Sequence, residues 1–324
     1  MKYIETASSV LFCRHLSTVF WTWLLLPGLA CGQNDPTPVS PDPPTITFSE
    51  PIDRGEVNNP AINEASGLVA SRNNAGVLWT HNDSGNEPKI FAISTGGETI
   101  GEWVIAGAKN RDWEDITIGP GPEEGVNYLY VGDIGDNQAV HGSLDIYRFP
   151  EPTISAGDGD LVTDTIREAE KINLKYPDGA RDAETLLVDP FTTDLYIVSK
   201  RDRFAHIYRL PYPQSTSFTI IAEKVGEWNR EIVGIFNQPV GGDISSDGKE
   251  LLIKSYVEVL YWRREGEETT LFELMQRDPE VLPYTVEPQG ESVGWAADGS
   301  GYFTLSEKQG TATPRLYFYE RREE

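Results

Sequence analysis

Short runs of alternating apolar and polar residues, broken by Gly, Asp, Asn and Pro, recur from about residue 60 to the end of the chain. Alternation with period two marks half-buried strands, and the breaks between the runs are turn-forming. One pair of runs organises the rest. Arg111-Asp112-Trp113-Glu114-Asp115-Ile116-Thr117-Ile118 is followed, after a turn, by Tyr128-Leu129-Tyr130-Val131-Gly132-Asp133-Ile134-Gly135-Asp136-Asn137. It predicts a strand that begins among acidic residues and a second that ends among them. The same order returns at Arg181–Val188 leading to Leu195–Lys200, and at Gln289–Trp295 leading to Tyr302–Glu307. Two looser copies run from Glu64–Val69 to Leu78–Asp83 and from Gly241–Ser245 to Leu251–Ser255.

Each copy extends to a small meander. Third strands are predicted at Ile90–Ile93, Leu144–Phe149, His206–Leu210, Val259–Trp262 and Arg315–Tyr319. Outer strands are predicted at Thr99–Ile105, Lys171–Leu174, Phe218–Lys224 and Leu271–Met275. Aligning the first strands places Ser66, Glu114, Glu184, Gly241 and Glu291 in register, at spacings of 48, 70, 57 and 50. Meanders repeated at such intervals predict an all-β fold, a β-propeller of five four-stranded blades. A six-bladed ring is the alternative, because the 70-residue repeat has room for further strands. The last copy has only three strands, and Thr45–Phe48 has no partner in the first. This N-terminal strand is therefore expected to complete the last blade and close the ring.

Composition agrees with a packed β protein: 39% hydrophobic, with 30 Gly, 22 Pro, 14 Tyr and 8 Trp among 324 residues. The formal net charge of −24 disfavours nucleic acid and anionic membrane surfaces as partners. It is compatible with plain solubility or with a cation-binding surface.

Residues 1–31 read as an export signal: Lys2, Arg14 and His15, then the apolar run Val19–Leu26, then Pro27-Gly28-Leu29-Ala30-Cys31. The run is too short for a stable membrane span. Leu29-Ala30-Cys31-Gly32 resembles the end of a lipobox, with Gly28 where Leu is usual, which implies lipidation at Cys31. Residues 32–45 form a Pro-rich tether that can make neither helix nor ladder. Residues 46–324 are then a single propeller domain. The expected location is the bacterial cell envelope, lipid-anchored, with a freely secreted protein as the alternative. Cys13, the other cysteine, lies in the leader, so no disulfide is expected.

First strands line the channel of a propeller, so Glu114, Glu184 and Glu291 are expected to converge on the axis. Three such carboxylates repel one another unless protons, backbone donors, neighbouring arginines (Arg111, Arg181) or a cation offset them. Oxygen ligands with room for water suit calcium. Glu64, Asp112 and Asp182 form a second acidic register two residues upstream. Asp83, Asp133 and Asp136 sit at the ends of second strands, where Asp beside Gly is equally a turn former. His81 is a candidate base on the channel face, although a packed histidine accounts for it as well. Trp113 reads as packing between blades more readily than as a sugar-binding wall.

The blade starts Ala-Ser-Gly-Leu (65–68), Asp-Trp-Glu-Asp-Ile (112–116), Asp-Ala-Glu-Thr-Leu (182–186), Gly-Gly-Asp-Ile (241–244) and Gly-Glu-Ser-Val (290–293) resemble those of the SdiA-regulated family. The resemblance spans about residues 60–320. It implies an exported five-bladed propeller, distantly related to NHL-repeat proteins, with calcium near Glu114, Glu184 and Glu291.

No Gly-x-Ser-x-Gly elbow, phosphate-binding glycine loop or Cys/His zinc spacing is present. Two functional classes remain. One is a monomeric binding module that takes a small molecule or a protein on the channel face and touches membrane only through its anchor. The other is a calcium-dependent hydrolase of a lactone or phosphate ester, as in propellers of phytase and gluconolactonase type, with Asp83, Asp133, Asp136 or His81 as candidate base. The scarcity of lysine and arginine on that face disfavours phosphate.

Overall fold

The computed structural model describes residues 46–155 and 161–323; the export signal, Cys31 and the tether lie outside them. Five antiparallel meanders follow one another, as expected for a five-bladed propeller. Blade 1 runs from its inner strand outward as Ala65–Ala70, Val77–Asn82, Lys89–Ser94 and Thr99–Ile105. Blade 2 is Trp113–Pro120, Asn127–Asp133, Leu144–Pro150 and Glu170–Lys175. Blade 3 is Ala183–Val188, Leu195–Ser199, Phe204–Leu210 and Glu223–Glu231. Blade 4 is Pro239–Ile244, Glu250–Ser255, Val259–Arg263 and Glu280–Leu282. Blade 5 is Ser292–Trp295, Gly301–Leu305 and Arg315–Glu323.

The ring closes through the N-terminal segment. Ile46–Phe48 and then Ile52–Glu56 both pair antiparallel with Arg315–Glu323, so two short strands share the outer position of blade 5. Phe48 is buried there, its ring centroid 5.2 Å from that of Tyr302 and 6.0 Å from that of Trp295. The second of these strands is not evident from residue pattern, because Ile52-Asp53-Arg54-Gly55-Glu56 carries one apolar residue.

Inner and second strands are buried at nearly every position, since blades stack on both of their faces. Outer strands alternate, as in Thr99–Ile105, where Trp103 and Ile105 point inward. Trp79, Trp103, Trp113, Ile116 and Phe149 form a core cluster between blades 1 and 2. Trp113 is fully buried, and its indole N–H donates to Lys109 O at 2.9 Å, which is the packing role. Near the axis the inner strands of blades 4 and 5 come too close at one position for a side chain. A Cβ at Gly241 would lie 2.7 Å from the Glu291 carbonyl oxygen.

Three expectations about outer strands need correction. The length of the second repeat is taken up in part by Val162–Ile166, which adds parallel to the edge of blade 1 rather than founding a sixth blade. The outer strand of blade 3 is Glu223–Glu231, not Phe218–Lys224, and Ile220–Ile221 pairs instead with blade 2. Leu271–Met275 is a helical turn, not a strand. Thr270 caps it in a reciprocal box with Glu273, and Leu271, Leu274 and Met275 fall on one buried face. Glu280–Leu282 takes the outer position of blade 4. Among the described residues no helix is long and apolar enough to cross a membrane.

Candidate functional site

Antiparallel pairing brings the start of each inner strand to the end of its second strand, at one face of the ring. Ala65 pairs with Asn82, Trp113 with Asp133, Ala183 with Ser199 and Ser292 with Leu305. The carboxylates gather on this face. Glu114 and Glu184 are each the extra residue of a β-bulge, which re-aims a side chain that regular pleating would direct elsewhere. Gly67 and Val240 are the bulge residues of blades 1 and 4, so Ser66 and Gly241 stand one place off that position. Glu291 precedes its strand and belongs to no bulge.

The three glutamates are buried, but they are not equivalent. Lys200, at the end of the second strand of blade 3, forms an ion pair with Glu184. Its ammonium also donates to Tyr256 Oη at 3.0 Å, and that hydroxyl donates to Glu291 Oε1 at 2.6 Å. One lysine thus serves two of the three carboxylates. Burial works against its charge, yet Glu184 and Glu291 hold the Lys200 ammonium above its usual range. Asp182 is likewise committed, to Arg201 Nε at 2.5 Å and the Asp136 N–H at 2.8 Å. The link onward to Glu291 crosses the blades through Tyr256, which the order of residues along the chain does not show.

The other side lacks such partners. Asp83, Asp112 and Glu114 offer one oxygen each, all within 4.8 Å of one another. A second trio, Glu114, Asp182 and Glu184, meets the same condition, but there Lys200 and Arg201 already neutralise two members. Among the described residues no lysine or arginine forms an ion pair with Asp83, Asp112 or Glu114. Burial, then the charges of Glu291, Asp112 and Glu64, pushes the Asp83 carboxyl up to about 7. Burial and Glu184 likewise raise Glu114 well above the usual carboxylate range. Burial first and Asp182 second raise Asp112.

The local chain is shaped to leave these oxygens room. A Cβ at Gly135 would collide with Glu114 Oε1 and Asp112 Oδ2, so the glycine keeps the space for both carboxylates. Glu184 Oε2 is buried without a hydrogen-bond partner. These features fit a hard cation held by oxygens, with Asp83, Asp112 and Glu114 as the residues that would hold it. Glu291 is in neither trio.

The remaining expected residues have other duties. Glu64 accepts from Asn86 Nδ2 at 2.5 Å at the rim. Asp133 accepts from the Asp112 N–H at 2.8 Å and so orients that residue. Asp136 accepts from the Val140 and His141 N–H groups at 2.9 and 2.7 Å, which closes the 136–141 loop: the turn role. His81 is fully buried, 5.7 Å from Trp113 between ring centroids, and does not line the face. Burial lowers its pKa to about 4, and Nδ1 donates to Asn82 O at 3.0 Å.

Sequence reasoning passed over Glu307. Half-buried beside the cluster, its carboxyl is pushed up to about 8 by burial and then by Glu291, Asp83 and Glu64. Its place at the end of a second strand was the available signal. Asp115 and Asp243 were also missed. Each is buried and accepts its successor's N–H together with one from the next blade, Leu186 N at 2.9 Å and Trp295 N at 2.8 Å respectively. They stitch blades together rather than serve a ligand.

No family model matches the chain, and no curated protein matches it. Among solved structures, hydrazine synthase of Kuenenia stuttgartiensis is similar at 12% identity and a TM-score of 0.38, over 75% of this chain and 68% of that one. A putative 6-phosphogluconolactonase from Bacteroides uniformis is similar at 10% identity and a TM-score of 0.36, over 77% of this chain and 66% of that one. At these scores neither likeness bears on what this chain binds. The resemblance to SdiA-regulated propellers rests on the blade-start motifs alone.

Proposed function

We propose that this chain is an exported propeller, lipid-anchored at Cys31, that binds a small molecule or a protein on its acidic face and is stabilised there by calcium. The observation that carries the reading is the trio Asp83, Asp112 and Glu114, whose oxygens converge while, among the described residues, no lysine or arginine forms an ion pair with them. It differs from the trio Glu114, Glu184 and Glu291 expected from register, because Lys200 already serves the last two. Calcium accepts oxygen ligands in number and tolerates irregular geometry, which suits carboxylates supplied by two blades and a bulge. The blade-start resemblance points the same way.

The test is thermal unfolding of the protein with calcium and with chelator, for wild type, Asp112→Asn and Glu184→Gln. Calcium at about 100 times its Kd should add about 3 kcal/mol of stability. Asp112→Asn should remove most of that gain, while Glu184→Gln should lower stability but leave a gain. If wild type responds no more than Asp112→Asn, and elemental analysis finds no metal, the cation reading is wrong.

Hydrolysis is the second reading; it needs Asp83 off the metal, with Asp112 and Glu114 as the protein ligands, where burial raises its carboxyl to about 7. A group that titrates near neutral pH can take up and return a proton. Calcium, when bound, would polarise a substrate oxygen. Of the four candidate bases only Asp83 keeps this role, since His81, Asp133 and Asp136 are packed or bonded elsewhere. Turnover of lactones or phosphate esters by the calcium-loaded sample, lost in Asp83→Asn while the calcium-dependent thermal shift remains, supports it; no turnover rules it out for those substrates, and loss of both together makes Asp83 a ligand only.

A further inference from the structure

Beside the carboxylates, on the same face, lies an apolar cleft of about 460 Å³. Phe236 comes from the crossover into blade 4, Val257 from the turn after Ser255, and Val286 and Pro288 from the crossover into blade 5. Phe236 and Val286 are 61% and 60% exposed, and Val233 and Ile235 beside Phe236 are 71% and 62% exposed. Contiguous apolar side chains left in water mark a binding surface more often than chance exposure. The inner end of the cleft is different in kind. Tyr256 lines it, and the Tyr256 hydroxyl donates to Glu291. Gln289 lines it too, and its carbonyl accepts from the Glu307 N–H at 3.1 Å. Glu307 itself borders a smaller hollow, about 190 Å³, that shares Val286 and Pro288. Glu287 lines both hollows, and its carboxylate oxygens are buried without a hydrogen-bond partner, so the apolar wall meets a carboxylate there.

We propose that this cleft binds a small organic cation: an apolar or aromatic body between Phe236, Val257, Val286 and Pro288, and an ammonium at the inner end toward Glu287 and Glu307. The proposal rests on the reading of this face as a ligand-binding surface, and it does not need the metal. Charge complementarity selects the occupant. An anion would meet Glu287, Glu307 and their acidic neighbours, and a neutral apolar molecule would leave Glu307 without a counter-charge. Among the described residues no lysine or arginine forms an ion pair with Glu307. The volume lies within the range of small-molecule sites. A second copy of this chain is a poor occupant, because each carries a formal charge of −24 and their acidic faces would oppose one another.

The experiment is calorimetric titration of the whole protein with phenylbutylamine, phenylbutanol and butylamine, each with calcium and with chelator. Phenylbutylamine should bind saturably. The alcohol, which lacks the charge, and butylamine, which lacks the ring, should each bind roughly 10-fold more weakly or less. Phe236→Ser and Glu307→Gln should each weaken the amine by a similar factor. Phe236 is exposed, so circular dichroism should show its variant folded. Equal binding of amine and alcohol overturns the proposal, as does the absence of saturation at millimolar amine. If the amine binds but calcium gives no thermal shift, the metal reading fails and this one stands. If calcium acts and the amine does not bind, this one fails alone.

Discussion

His81 and Asp83 stand two residues apart at the end of one strand, and burial moves both toward neutrality. For the histidine the shift is downward, to about 4; for the aspartate it is upward, to about 7. The stability consequences have opposite signs. A histidine with a native pKa below its unfolded value of 6.5 binds fewer protons in the fold. Its contribution is full above pH 6.5 and is lost as pH falls toward 4. The raised aspartate works the other way, and its contribution is lost as pH rises from its unfolded value toward 7. The His81 term can be isolated by difference. Between pH 7 and pH 5, wild type should lose about 2 kcal/mol relative to His81→Gln, because the other carboxylates cancel in the comparison. Urea unfolding of both proteins at the two pH values measures it. A difference that does not change with pH would mean the imidazole is solvated or paired in the fold, against the bare, buried Nε2 seen here.

At the scale of elements, the closure of the ring concentrates its stabilising contacts in one short strand. Phe48 is buried among Tyr261, Trp295 and Tyr302, whereas Ile52 on the companion strand is 38% exposed. Phe48→Ala should therefore cost about 3 kcal/mol or more in urea unfolding, and Ile52→Ala less than about 1 kcal/mol. Similar small costs would show that the N-terminal strand adds pairing but does not hold the ring. The same contrast explains what could be read in advance. Inner, second and third strands were legible because each is a compact apolar run between turn residues, and the chain order of blades follows. The outer layer was not, since one face of it meets water and its pattern loosens. Leu271-Phe272-Glu273-Leu274-Met275 reads as a strand by apolar content, yet Thr270 and Glu273 form a helix cap. At the site, the acidic residues were legible as a register, but a β-bulge shifts alignment by one residue and separated Ser66 and Gly241 from it. The partner of Glu291 is Tyr256 from the neighbouring blade, itself bonded to Lys200 of blade 3, and spacing along the chain does not show such links.

For the molecule as a whole, two electrostatic effects of opposite response to salt compete. Ion pairs such as Arg315 with Asp53 and Arg203 with Glu231 lie at the surface and weaken when salt screens them. The excess negative charge repels itself, and screening relieves that. Exposed pairs contribute about 0–1 kcal/mol each, and the buried pair of Arg264 with Asp189 is largely shielded from salt. The repulsion is not confined to single pairs, because Asp83, Asp112, Glu114, Glu291 and Glu307 act on one another within a single face, most strongly above about pH 8, where Asp83 and Glu307 are ionised. Self-repulsion should therefore dominate in the calcium-free protein. Raising sodium chloride from about 20 to about 500 mM, which shortens the screening length several-fold, should raise its melting temperature. The further rise on adding calcium should shrink, since the ion then relieves less repulsion. In Asp112→Asn both responses should be smaller. A melting temperature that falls with salt would instead place the balance with the surface pairs, and the acidic face would then carry no net strain for a cation to relieve.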